Sequence, residues 1–243
     1  MSPRIGEIWV YLAASPLLGL TLTLLAYQGA VAVSKRCNGH PLANPVLLAV
    51  TALVTLLWVT GTPYRHYFDG AQFVHFLLGP ATVALAIPLY AQFARLKRIA
   101  LPLLAGLLAG SLTASISAVV IGSLLGASDA TLLSLAPKSV TTPIAMGVAE
   151  RIGGLPSLTA VLVILTGILG AVAAGGIYGL FRIRDRAIQG FAMGVASHGI
   201  GTARAFQTSE QAGAFAALAM GLNGLLTALL LPWLMPPLVR WLA

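Results

Sequence analysis

Apolar runs occupy most of the chain, and their lengths set the first expectation. A helix rises 1.5 Å per residue, so about 20 apolar residues cross the hydrocarbon core of a bilayer. Six segments meet or approach that length: Ile8–Val33, Asn44–Thr60, Gln72–Phe93, Leu101–Gly126, Ser157–Phe181 and Gln211–Leu231. Between the last three lie two polar-interrupted stretches, Ala127–Pro156 and Arg182–Glu210. Both are partly apolar and are broken by proline, glycine and hydroxyl residues. The pattern predicts an all-α polytopic membrane protein with six full spans and two broken helical segments. Residues 1–100 would serve as scaffold spans, and residues 101–243 as a unit carrying the breaks at 127–156 and 182–210.

Charge then orients the spans. The chain of 243 residues is 58% hydrophobic and 8% charged, against roughly 25% charged in soluble domains. Its 14 Lys+Arg exceed its 6 Asp+Glu, for a net charge of +8. The basic residues gather in Lys35-Arg36, Arg95-Lys97-Arg98 and Arg182-Arg184-Arg186, the pattern of cytoplasmic loops rather than of a nucleic-acid surface. With all three clusters inside, the N-terminus lies outside and Leu101–Gly126 crosses outward. Ser157–Phe181 must then return inward, so Ala127–Pro156 starts and ends outside, as a re-entrant hairpin or as two short helices. The second broken stretch is constrained only by Arg240, and it either dips from the opposite side or crosses. A faint echo pairs the two halves: Gly167-Ile168-Leu169-Gly170-Ala171 resembles Gly224-Leu225-Leu226-Thr227-Ala228, an offset of 57 that sets Thr141 on His198. Such an offset is what an inverted repeat leaves, as in many carriers. Glycine-rich helices also look alike by chance.

The interruptions hold the candidate chemistry. The first reads Pro137-Lys138-Ser139-Val140-Thr141-Thr142-Pro143, the second Ser197-His198-Gly199-Ile200-Gly201-Thr202-Ala203-Arg204. A charge at bilayer depth costs about 2.5–3.5 kcal/mol on insertion scales and so tends to line a functional cavity. Pro137 and Pro143 remove backbone donors, and Gly199 and Gly201 permit close backbone approach. Lys138 and Arg204 would neutralise a small carboxylate, Arg204 with a planar fork. Ser139, Thr141, Thr142, Ser197 and Thr202 would hydrogen-bond it, and His198 would contact it or carry a proton. The plain alternative is a snorkelling lysine and hydroxyls that cap turns. Asn44-Pro45, Pro80 and Pro88 are further candidate helix breaks. The six acids, Glu7, Asp69, Asp129, Glu150, Asp185 and Glu210, fall at segment edges, which speaks against a bare-cation site. If protons are coupled, His198, Glu150 or Glu210 are the candidate carriers. Cys37 is the single cysteine, so neither a disulfide within the chain nor a Cys/His zinc site is expected. The sequence contains no nucleophile–base set or phosphate loop, so no enzyme, metal or cofactor is expected. The first apolar run is too long for a cleavable leader.

At these motifs the chain resembles the LrgB/CidB family of bacterial membrane proteins and the C-terminal half of the plastid glycolate/glycerate translocator. The resemblance rests on Asn44-Pro45, Gly79–Tyr90, Pro137–Met146, Gly167–Ala171 and Met193–Arg204, in consistent order over almost the whole chain. It implies two competing roles. Bacterial members are named as antiholin-like or holin-like regulators of murein hydrolase export and lysis. The plastid relative implies transport of small 2-hydroxycarboxylates, and related systems extend this to pyruvate-like acids. It further implies a bacterial inner-membrane location, an LrgA/CidA-type small membrane partner, and a homo-oligomer.

Overall fold

The computed structural model of the chain describes residues 16–37, 40, 43–77, 80, 83–84 and 86–242. Glu7, residues 8–15 of the first expected span, and residues 78–79, 81–82 and 85 of the third lie outside that set. The described residues form helices and no strand. Four helices among them are long and apolar enough to cross a membrane: α1 (Pro16–Arg36), α6 (Ala100–Leu124), α9 (Pro156–Leu180) and α11 (Glu210–Leu242). The chain is a multi-pass, all-α membrane protein.

Two expected spans are corrected. Gln72–Phe93 is not one helix: α3 covers Tyr64–Phe76, and the short α4 (Ala86–Ala91) and α5 (Phe93–Arg98) follow. Pro88, expected as a break, instead lies in the first turn of α4, where a missing N–H costs little, and the residues on either side of Pro80 lie outside the described set. The last span does not stop at Leu231. It continues through Pro232, Pro236 and Pro237 to Leu242, because neighbouring helices and local adjustments accommodate proline at membrane depth. The apolar α2 (Pro45–Thr60) has 16 residues, short of a full crossing. Asn44 and Pro45 begin it rather than break it. The Asn44 side chain accepts from Val46 N–H at 2.9 Å and Leu47 N–H at 3.2 Å, and proline suits a first helical turn.

The chain divides into two compact units, residues 1–84 and 85–243. In the first, α1 packs on α2 and α3. Gly19 lets the Tyr67 carbonyl approach where any Cβ would collide, and Thr23 Oγ1 shares a 2.7 Å hydrogen bond with Tyr67 Oη.

The second unit has a basic end and a far end. Arg95 Nη2 donates to Asp185 Oδ2 at 2.6 Å, and Gln211 Nε2 donates to Gln92 Oε1 at 3.4 Å. The basic clusters around Arg95 and Asp185 and the start of α11 therefore share one end. Leu103, Phe191 and Phe215 pack there, whereas Val119, Val148 and Met235 pack at the other.

From the far end, α7 (Asp129–Leu135) and α8 (Thr142–Ile152) form a helical hairpin between α6 and α9. At about 10 and 16 Å, neither arm spans a 30 Å core. From the basic end, α10 (Arg186–Thr208) forms the other hairpin. A Cβ at Gly190 or Gly194 would overlap the carbonyl of Ala212 or Ala216, so residues 186–197 run parallel to α11. At His198 the backbone turns through φ 42°, ψ −134°. Residues 199–208 then run back: Gly201 sits against Met193, and Gly213 under the Phe206 ring. Within the second unit, residues 186–208 thus fold back on themselves at His198.

Candidate functional site

The two hairpin tips meet α11 at mid-length. The first tip is the irregular segment 136–141. Pro137, without an N–H, ends the run of α7, and turn bonds tie Lys138 N–H to Leu135 O and Val140 N–H to Pro137 O. Pro143 lies in the first turn of α8, so it opens a helix instead of interrupting one. Thr141 precedes that turn with its hydroxyl making no capping bond, and Thr142 is its first residue. Lys138 Nζ donates to Ala114 O and to Ser139 Oγ, each at 3.3 Å. Ala114 stands two residues from Leu112, the middle of α6. The ammonium therefore sits near the mid-depth of a spanning helix, half-buried, with neutral oxygens as its partners.

The second tip is Ser197–His198. His198 Nε2 meets Val163 O at 2.9 Å, and Thr202 Oγ1 donates to His198 O at 2.8 Å. A Cβ at Gly167 would fall 2.7 Å from the His198 ring, and one at Gly170 would overlap Ser197 Oγ. Both glycines lie within two residues of Ile168, the middle of α9. Glycine is needed at those two places because the tip occupies the space of a side chain. In the echoed pentapeptide of α11, Gly224 receives Ile144 of the first hairpin, whose Cδ1 would lie 2.8 Å from an added Cβ. Each echoed glycine thus receives the tip region of one hairpin.

Asn223 joins the two tips. Its Nδ2 donates to Val195 O at 2.9 Å and lies 3.5 Å from Ser139 O. It stands three residues from Leu226, the middle of α11. The sequence reading passed over Asn223, although an asparagine inside a 33-residue apolar helix is itself a signal, since polar groups at membrane depth are costly and find partners. Two buried side-chain atoms here have no hydrogen-bond partner among the described residues, Ser197 Oγ and Asn223 Oδ1, and both residues are 1% exposed. Buried orphans of this kind are uncommon in native folds.

The remaining candidates lie farther out. Arg204 is six residues, about 9 Å of rise, beyond His198 and donates to Gln207 Oε1 at 3.1 Å. Gly199 faces Met220. Glu150 is exposed near the far-end terminus of α8, and Glu210 is exposed at the first residue of α11. No group of His, Cys, Asp and Glu among the described residues could hold a metal. Away from the tips, Asp185 caps α10. Burial pushes its carboxyl pKa up, but the N–H groups of Ile188 and Ala187 and the Arg95 guanidinium outweigh that and hold it below the ordinary value.

Comparison with known proteins follows the same span. The model of the LrgB-like family matches residues 23–236. A Bacillus subtilis relative named uncharacterized protein YwbG is 39% identical, covering 90% of this chain and 97% of its own. Bacillus mycoides and Bacillus cereus relatives named antiholin-like protein LrgB are 30% identical, covering 91% of this chain and 96% of theirs. No solved structure matches.

Proposed function

The chain belongs to the LrgB-like family, and from that membership we propose that it is an antiholin-like membrane protein whose second unit carries a small monocarboxylate. The antiholin-like part is the reading the comparisons support best, through the names of the Bacillus relatives. The carrier part rests on one observation of the fold, the Lys138 ammonium near mid-depth, whose partners among the described residues are a carbonyl and a hydroxyl. A half-buried cation without a carboxylate favours an anion that brings its own charge.

On this reading Lys138 pairs with the carboxylate of a glycolate-, glycerate-, lactate- or pyruvate-like acid. Ser139, Thr141 and Thr142 supply hydroxyls, and the first turn of α8 presents free N–H groups. Ser197, His198, Gly199, Gly201 and Thr202 form the opposing wall, and Arg204 guides the anion from the basic side. His198 takes the proton if flux is proton-coupled. The hairpins from opposite ends fit the two halves of an inverted repeat. The protein works in the bacterial inner membrane as a homo-oligomer with an LrgA/CidA-type partner, and it is not an enzyme.

Uptake of labelled glycolate, lactate and pyruvate into proteoliposomes, with and without the partner, tests the carrier part. Saturable uptake that related acids compete and Lys138→Ala abolishes is the expected result. Leak of uncharged sugars that ignores position 138 would leave a lysis-regulating membrane protein with no carrier activity. Lysis assays in a deletion strain complement this. If Lys138→Ala restores normal lysis but not uptake, the two roles are separate.

A further inference from the structure

The basic end of the second unit gathers charge that the sequence keeps apart. The bond from Arg95 to Asp185 joins the 95–98 and 182–186 clusters across 90 positions. Six basic residues, Arg95, Lys97, Arg98, Arg182, Arg184 and Arg186, therefore stand at an end whose acids are Asp185 and, at the start of α11, Glu210. Asp185 is already engaged by Arg95 and by two N–H groups of α10. Lys97 lies 4.7 Å over the Phe93 ring, and Arg186 donates to Gln189 Oε1 at 2.9 Å. Arg98, Arg182 and Arg184 are exposed and have no hydrogen-bond or ion-pair partner among the described residues.

Sidedness asks for positive charge somewhere in a loop, not at one position of it. Arg182 nonetheless occupies a place that favours another residue. At the end of α9, Arg182 N–H bonds Gly179 O at 3.2 Å and Ile183 N–H bonds Tyr178 O at 2.9 Å. The left-handed residue of that closing turn is Arg182, with φ 53°, where glycine is the usual choice. The turn is pinned: Tyr178 Oη donates to Gln189 O and Gln189 Nε2 to Ile183 O, each at 2.7 Å. It presents Arg182 and Arg184 just beyond the exposed Leu180 and Phe181, at the end of a helix long enough to span.

We infer that this end is a binding surface for the phosphate headgroups of anionic phospholipids in the cytoplasmic leaflet, with Arg98, Arg182 and Arg184 as its contacts. The guanidinium fork matches phosphate oxygens, and clustered cations at the cytoplasmic end of spanning helices attract anionic lipid. Leu180 and Phe181 suit the acyl chains, which commits the surface to a lipid rather than to a phosphate ester in solution. The strain at Arg182 then has a use that the turn itself does not supply. This surface is independent of the carrier site.

The test titrates dioctanoyl phosphatidylglycerol into the full chain in a neutral detergent and follows the melting temperature. A saturable rise is expected, with none from dioctanoyl phosphatidylcholine or from glycerol phosphate. Arg182→Gly suits the left-handed turn, so without lipid it should melt no lower than the wild type. It should need about fivefold more phosphatidylglycerol for half the rise. Lys35→Gln with Arg36→Gln, which removes the basic cluster of the first unit, should leave the titration unchanged. No rise with phosphatidylglycerol, or an equal rise with phosphatidylcholine, would overturn the inference. An equal rise with glycerol phosphate would overturn it by making the ligand a soluble phosphate. So would unchanged half-saturation in Arg182→Gly, melting of that variant below the wild type, or equal weakening by the changes at Lys35 and Arg36.

Discussion

His198 holds a conformation that few side chains adopt, with φ 42° and ψ −134°. Outside glycine such backbone costs about 1–3 kcal/mol and persists where the surroundings over-determine it. Here the Val163 carbonyl fixes the ring and Gly167 leaves room for it. In an ordinary helix alanine outperforms glycine by about 1 kcal/mol. At position 198 the order should reverse, with His198→Gly melting above His198→Ala in detergent. The ordinary order would show that the turn at the tip is not held as described. The sequence marked this residue by its type and neighbours, not by its backbone, since nothing in Ser-His-Gly-Ile-Gly tells which residue makes the turn. Asn223 shows the opposite limit. Its polarity was visible, but that it serves both tips depends on the 84 positions separating it from Ser139 and the 28 separating it from Val195.

At the scale of the element, the contact of α10 with α11 depends on glycines that have no side-chain substitute. A Cβ at Gly194 would overlap the Ala216 carbonyl, whereas one at Gly176 meets nothing. Gly194→Leu should destabilise the protein by about 1–3 kcal/mol or prevent its insertion. Gly176→Ala should be neutral or raise the melting temperature through helix propensity, and comparable losses in both variants would contradict the packing. The first turn of α10 depends on Asp185, whose carboxylate accepts from Ala187 and Ile188 N–H and from Arg95. Because its pKa is lowered in the fold, its stabilisation is present above the unfolded carboxyl value and is lost as pH falls through the folded one. Melting curves from neutral to acid pH should therefore fall more steeply for wild type than for Asp185→Asn. Asparagine keeps the cap, so Asp185→Ala should cost more than Asp185→Asn at neutral pH, by about 1 kcal/mol. In the sequence, the polar breaks and the three basic clusters on one side predicted that 127–156 starts and ends on the same side, as a hairpin or as two short helices. The sequence misplaced the end of α11, since Pro232 reads as a stop by the rules of helices in water and the neighbours that accommodate it are not written in the local sequence.

For the whole molecule, the fold of the second unit and the rule for basic loops together give an expected side for the end of α11. Arg95 and Asp185 share one end, α11 starts beside them and leaves toward the other, and basic clusters face the cytoplasm. With Cys37 replaced by serine, a cysteine after Arg240 should react with an impermeant thiol reagent from outside the cell, and one at Arg184 only after the membrane is opened. Labelling of both from the same side would break the two-hairpin topology. In the proposed function, the hairpin tips form a site for a small carboxylate at Lys138. Thr141, partly exposed beside the first tip, reports on that site while leaving the lysine in place. The most direct measurement is the alkylation rate of Thr141→Cys in the Cys37→Ser background with and without glycolate, repeated with Lys138→Ala. Glycolate should slow alkylation in a saturable way, an uncharged sugar should not, and the protection should vanish with the lysine. Alkylation indifferent to glycolate, or protection that survives Lys138→Ala, would contradict a carboxylate site at Lys138.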